Sequence, residues 1–199
     1  MKLIAKVHMA ELYHQNGDKN KFMEILKDIE PNVDEVLKLN PPEGFKAMNY
    51  IAIGLMNQGK YEDANAKFRE ILPKLSLHYD YKYEGIPLVH DIFRNIASCE
   101  SKMKNYSEAL SLLDSAKGWQ KVCEGNSPNC VLTETMIQQV HRSQGDEKRV
   151  KESQAEIAEI KKSYPVSENQ NIKESLVNVN LDFDFNLNIN DSAVNIDLG

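Results

Sequence analysis

Between Phe45 and Leu75 the chain reads FKAMNYIAIGLMNQGKYEDANAKFREILPKL, and apolar residues fall at helical spacing twice over. Met48, Ile51, Ala52 and Leu55 share one helix face, and Tyr61, Ala64, Phe68 and Ile71 share another. Asn57-Gln58-Gly59-Lys60 between them reads as a tight turn. Gly59 stands just past the first helix, where a left-handed residue costs least without a β-carbon. Small Ala52 and Ala64 are placed where two crossing helices must approach, and Tyr61, Phe68 and Ile71 are bulky enough to fill the space around them. The pattern predicts an antiparallel helical hairpin.

The same logic recurs along the chain. In residues 3–30, Met9, Ala10 and Tyr13 lead to Gly17, and Phe22, Leu26 and Ile29 line a following helix. From Gly17 to Gly59 is 42 residues, and the surplus falls in Pro31–Gly44. There Val33, Val36 and Leu37 predict a continued or separate short helix, halted by Pro41-Pro42. After Leu75 the second helix is expected to run on by a turn or two before a connector with Tyr79, Tyr81 and Tyr83, which reads as structural rather than as an aromatic binding edge. A third unit runs from His90 to about Trp119. Phe93, Ile96, Ala97 and Glu100 lead through Lys104-Asn105 into Tyr106, Ala109, Leu113 and Ala116, and Tyr61 to Tyr106 is 45 residues. A fourth, Val131 to Tyr164, has Met136, Ile137 and Val140 before Gly145, then only Val150, Ile157 and Ile160. Its polar outer face suits the last helix of a stack, on which nothing packs.

These residues resemble a tetratricopeptide repeat (TPR), the 34-residue helix–turn–helix module. Ile51, Ala52, Leu55, Gly59, Tyr61, Ala64, Phe68 and Ile71 occupy its signature positions. Met48 stands for the usual Trp, Ala52 for the first-helix Gly and Ser76 for the closing Pro. The longer period is similar to that of kinesin light chains. The resemblance implies an all-α fold, a TPR-like alpha-alpha superhelix of about four helix pairs over residues 1–165, that captures an extended peptide or protein segment. Some members hold two carboxylates with a Lys followed four residues later by Asn; here Lys6 is followed by Ala10, so that clamp is not expected. The first helix begins within three residues of Met1 without an N-terminal cap, so the chain also reads as a piece of a longer array.

Residues 166–199 form an acidic tail of different character. It carries six acids against Lys173 alone, a net of −5, while the rest is near neutral. From Val177 to Ile189 apolar and polar residues alternate strictly, a strand pattern without an evident partner. The tail is expected to be disordered, to form an isolated strand that pairs with another chain or copy, or to fold back onto its own domain. A mean hydropathy of −0.52 is that of a soluble protein, and the net charge of −6 argues against nucleic acid and anionic membrane as partners. No apolar run approaches the ~20 residues of a membrane span. Three cysteines close no disulfide framework, and a cytoplasmic, reduced protein is the expectation. Cys123 and Cys130 flank a turn-rich loop with a spacing unsuited to zinc; a bridge between them is geometrically open, reduced thiols are the expectation, and Cys99 reads as a small buried hydrophobe.

If the units stack, their first helices line a concave groove. Register places Lys46, Asn49, Ile53, Asn57, Arg94, Ser98, Lys102, Gln139 and Arg142 on that face, together with Glu11, His14 and Thr135. Asn side chains can pair with the backbone of an extended peptide, and the cations can receive carboxylates. No HExxH spacing, glycine-rich phosphate loop or GxSxG elbow occurs, so neither catalysis, cofactor nor metal is expected. The expected function is a non-catalytic interaction scaffold. The alternative is a structural subunit that assembles through its strand-like tail.

Overall fold

The computed structural model describes residues 2–80, 86–124 and 127–163. Among them are nine α-helices and no strand: α1 (Lys2–Gln15), α2 (Lys19–Ile29), α3 (Val33–Leu39), α4 (Pro41–Asn57), α5 (Tyr61–His78), α6 (Pro87–Lys102), α7 (Tyr106–Glu124), α8 (Pro128–Gln144) and α9 (Glu147–Lys162). They form four hairpins, α1–α2, α4–α5, α6–α7 and α8–α9, each packed on the next, with α3 inserted after the first. The tail, Tyr81, Tyr83 and the boundary at 165 lie outside the described residues.

One turn is built four times. Gly17, Gly59 and Gly145 are left-handed, with φ of 69°, 75° and 75°, and Lys104 takes the same place at 66°. In each, the next residue's N–H reaches five residues back, as in Lys60 to the Leu55 carbonyl at 3.0 Å and Asn105 to the Glu100 carbonyl at 2.8 Å. This closes the last carbonyls of the first helix, and an apolar second helix starts at once. Asp18 and Asp146 then cap α2 and α9, accepting from the Lys21 and Arg149 backbone N–H groups. The Asp18 carboxyl is held below its ordinary range, first by that backbone bond and then by the Lys21 side chain. Lys104 carries a β-carbon into a conformation that disfavours one. Lys104→Gly is therefore expected to raise stability by about 0.5–1 kcal/mol; urea melts read by circular dichroism check this, and an unchanged midpoint contradicts it.

Prolines open the first helices. Pro41 and Pro42 occupy the first turn of α4, capped by the Asn40 side chain, and Pro87 and Pro128 start α6 and α8. The short helix halts at Pro41-Pro42 as expected, and the same prolines also open the next helix. α3 ends at Leu39, and the ring's fixed φ and missing N–H suit the first turn of the next helix, which begins before Phe45. α6 and α8 likewise begin before His90 and Val131, so Cys130 lies inside α8. Ser127 donates to its sulfur at 3.7 Å. Cys99 is a buried thiol in α6, pushed up to about 12 by burial and then by nearby Glu100.

Ala10, Ala52, Ala64, Ala97 and Ala109 are fully buried, as close helix crossings require. The fourth unit departs from this. Gln138 stands where the others have alanine, and its Nε2 donates to the Val150 carbonyl of α9 at 3.4 Å. Phe22, Phe68, Ile71, Ile96 and Leu113 fill one continuous core, each contributing about 1.5–3 kcal/mol by burial. Gly44 marks the tightest approach, since a β-carbon there would stand 2.4 Å from the Leu37 Cα of α3. α9 buries Val150, Ser153 and Ile160 and exposes most of its charged residues. No helix among the described residues is long and apolar enough to cross a membrane.

Candidate functional site

The expected residues recur at about one-turn intervals along the first helices of the hairpins. α4 carries Asn49, Ile53 and Asn57, α6 carries Arg94, Ser98 and Lys102, and α8 carries Thr135, Gln139 and Arg142. α4 and α6 touch directly, and Asn95 Nδ2 donates to Asn49 Oδ1 at 3.2 Å. Arg94 continues the row toward α8. Its Nη1 donates to Thr133 Oγ1 at 3.2 Å, and Thr133 in turn donates to Gln120 Oε1 of α7 at 2.8 Å. Its Nη2 is bonded to Asp91, one turn earlier. The wall is thus joined helix to helix by side-chain amides, hydroxyls and one guanidinium.

Burial divides the expected residues. Asn49, Ile53, Arg94 and Ser98 are at most 1% exposed; Lys46, Asn57, Lys102 and Gln139 are half-buried, and Arg142 is exposed. Glu11 and Thr135 are half-buried too, and the Thr135 hydroxyl donates to the Val131 carbonyl at 2.7 Å within α8. His14 packs on Phe22 and Tyr50, with centroids 5.0 and 6.0 Å apart. The cations are less available than register alone suggests. Lys46 Nζ lies 3.3 Å from Glu43 and 3.8 Å from Glu11, and Arg94 is held by Asp91. His8 also faces Glu43, at 3.1 Å. Carboxylates gather at this end of the wall. Burial first, then Glu11, Asp91 and Glu43, push the Tyr50 hydroxyl far above its usual range and keep it neutral.

Several buried polar atoms have no hydrogen-bond partner among the described residues, including Arg94 Nε, Ser98 Oγ, Asn57 Oδ1 and Gln120 Nε2. Such atoms are rare in folded interiors, because each forfeits its water without replacement. The first three lie on the expected residues of α4 and α6. Asp91, Asn95, Thr133 and Gln120 are wall or supporting residues that the register reading omits. For Asp91 and Asn95 the run HDIFRNIASCES carried the signal, since it places polar residues on more than one face of a single helix.

A separate polar cluster ties α5, α6 and α7 together on Glu100. Asn65 and Asn105 donate to its carboxylate at 2.7 and 2.8 Å, and Arg69 Nη2 at 3.0 Å. Burial works to raise the Glu100 carboxyl, but the bonds from Asn105, Asn65 and Arg69 outweigh it and hold it below the ordinary 4.5. A depressed folded pKa contributes stability fully above the unfolded value, and the contribution is lost as pH falls through 4.5 toward the folded value. Glu100→Gln is expected to flatten the acid limb of stability against pH below about 4.5; urea midpoints from about pH 6 to about pH 3 test it, and parallel curves contradict it. Between α7, α8 and α9 lies a cleft of about 340 Å³, crossed by Lys117 paired with Glu134 at 2.6 Å and Glu156 at 2.7 Å. The described residues contain no group of three or more His, Cys, Asp or Glu placed to hold a metal.

Structural comparison identifies the architecture. The kinesin-light-chain TPR-like repeats of Podosopora anserina superpose with a TM-score of 0.62 at 16% identity, covering 87% of this chain and 82% of that one. A point-substituted form of that protein gives 0.62 at 17%, covering 87% and 81%. BtubC (BKLC) from P. vanneervenii gives 0.64 at 16%, covering 85% and 67%. The fold is that of a TPR-like repeat protein, an all-α superhelix of helix pairs. No protein-family model and no curated protein matches the sequence.

Proposed function

We propose that the chain is a non-catalytic interaction scaffold whose first-helix wall binds an extended peptide or protein segment. The binding residues are Lys46, Asn49, Ile53, Asn57, Arg94, Ser98, Lys102, Gln139 and Arg142. One observation carries the reading: Arg94 Nε, Ser98 Oγ and Asn57 Oδ1 are desolvated and have no described partner, on residues that share a wall. Together they offer a donor, a hydroxyl and an acceptor. The ligand class that supplies both carbonyls and N–H groups at repeating intervals is an extended backbone. Lys46 and Arg94 already face carboxylates, so hydrogen bonding contributes more to recognition than net charge does. The fold alone does not assign this role, because one architecture hosts many functions.

The test uses random peptides of about twelve residues selected by phage display on the full chain, then synthesised with a fluorophore. Ser98→Ala and Asn57→Ala each remove one hydrogen bond worth about 0.5–1.5 kcal/mol, so the pair together should weaken binding roughly tenfold or more. Anisotropy titrations measure it. Selected peptides that bind the double variant as tightly as the parent would place recognition elsewhere on the molecule.

A further inference from the structure

The cleft of about 340 Å³ between α7, α8 and α9 is lined by none of the residues proposed for the first-helix wall. Its volume falls at the small end of ligand clefts, which run from about 300 to about 1,000 Å³. Its lining follows the helices turn by turn. Lys117 of α7, Glu134 of α8 and Glu156 of α9 close one end as a bonded group. One turn along stand Asp114, Ile137, Glu152 and Ser153, and beyond them Leu110, His141 and Arg149. The mouth is open to solvent, since Asp114, Arg149, Glu152 and Glu156 are all exposed.

Four carboxylates line this cleft, against two cations and His141. The cations are already engaged. Lys117 holds Glu134 at 2.6 Å and Glu156 at 2.7 Å, and Arg149 lies 3.4 Å from Glu152. Asp114, by contrast, has neither an ion pair nor a hydrogen bond among the described residues. Ser153 is 5% exposed and lines the cleft, and its hydroxyl also has no partner among the described residues. A buried hydroxyl left so has given up most of its water without a replacement, and a ligand group in the cleft supplies one. The pair of Arg149 and Glu152 is an exposed one within a single helix, of the kind worth little, so Glu152 can turn to a second cation at small cost.

We propose that the cleft receives the side chain of an arginine presented by a partner protein, its guanidinium between Asp114 and Glu152 and its aliphatic stem against Leu110 and Ile137. Charge and geometry select this class. The excess of carboxylates calls for a cation, and among the described residues no group of three or more His, Cys, Asp or Glu is placed to hold a metal, which leaves an organic one. Acceptors stand on both sides, Asp114 on α7 and Glu152 and Ser153 on α9. A planar fork of N–H donors reaches both sides at once, whereas an ammonium is a compact point charge. Leu110 and Ile137 give the stem the apolar contact that long cationic side chains favour. A partner held here leaves the first-helix wall free for a second ligand, and the proposal does not depend on what that wall binds.

The experiment titrates the ¹⁵N-labelled full chain with N-acetyl-arginine amide, an arginine side chain on an uncharged backbone, and follows the backbone amide signals. Saturable shifts centred on residues 110–117 and 149–156 are expected. N-acetyl-citrulline amide, of the same shape without the charge, should bind about tenfold more weakly or worse. Asp114→Asn/Glu152→Gln should weaken arginine binding by about the same factor. Glu24→Gln/Asp63→Asn removes equal charge from the exposed faces of α2 and α5 and should leave binding unchanged. Equal losses in the two double variants would mean attraction to acidic surface at large. Shifts centred elsewhere, or citrulline binding equal to arginine binding, would mean that the cleft holds no guanidinium. Equal affinity for N-acetyl-lysine amide would make the ligand an ammonium, and tighter binding of free arginine would make it a free amino acid; each of these results overturns the proposal.

Discussion

Replacing Arg94 by leucine is expected to lower stability by about 3–5 kcal/mol, a large part of the roughly 5–15 kcal/mol that holds a typical domain together. Arg94 is among the largest fully buried side chains of the molecule, and it bridges Asp91 of its own helix to Thr133 of α8. Leucine fills most of the volume but takes the Arg94 guanidinium away from the buried Asp91 carboxylate. The damage therefore comes from the charge left behind more than from the bond removed. Arg94→Leu/Asp91→Leu removes both charges and should recover more than half of the loss, a coupling that a double-mutant cycle reads directly. Urea denaturation at neutral pH measures all three variants. A single-variant loss under about 1 kcal/mol would contradict the account.

Gly44→Ala should be nearly as costly, at about 2–3 kcal/mol, although alanine is ordinarily the better helix residue by about 1 kcal/mol. The added β-carbon would meet the backbone of α3, 2.4 Å from Leu37 Cα, and backbone cannot rotate away. Gly54 provides the control within the same helix. A β-carbon there would come within 2.6 Å of Leu26 Cδ1, the end of a side chain that can change rotamer. Gly54→Ala is accordingly expected to cost less than about 1 kcal/mol. Melting both variants side by side tests the contrast, and equal losses would mean that the α3–α4 contact yields more readily than its geometry implies.

Much of this fold is legible in the chain before any coordinates. Ala52, Ala64, Ala97 and Ala109 announce close crossings because helical spacing and small size coincide there, and all four are buried. Gly17, Gly59 and Gly145 announce the turns because only a residue without a β-carbon takes that φ freely. The starts of the first helices are harder to place. Pro41, Pro87 and Pro128 carry the signal, but proline ends one helix and opens the next with equal ease, and only the Asn40 cap and the packing decide which. The wall is half legible. Register alone proposes Asn49, Arg94 and Ser98 for it, because face follows from a period of about 3.6. It does not find that Lys46 meets Glu11, because that pairing joins α4 to α1, helices distant in sequence. The identities of Asn95 and Thr133 as bridges are hidden for the same reason.

Successive second helices are linked at their outer edges by ion pairs, Arg69 to Glu108 across α5 and α7 at 3.2 Å and Lys117 to Glu156 across α7 and α9 at 2.7 Å. In each, the same cation also reaches a buried carboxylate beneath, Glu100 or Glu134. The outer member of each pair is exposed to ions and weakens as the screening length shrinks, from about 10 Å at roughly 0.1 M salt to about 3 Å at roughly 1 M. The inner member is sheltered and keeps its grip. Added salt is therefore expected to weaken the outer pairs, Arg69 to Glu108 and Lys117 to Glu156, before the sheltered inner ones.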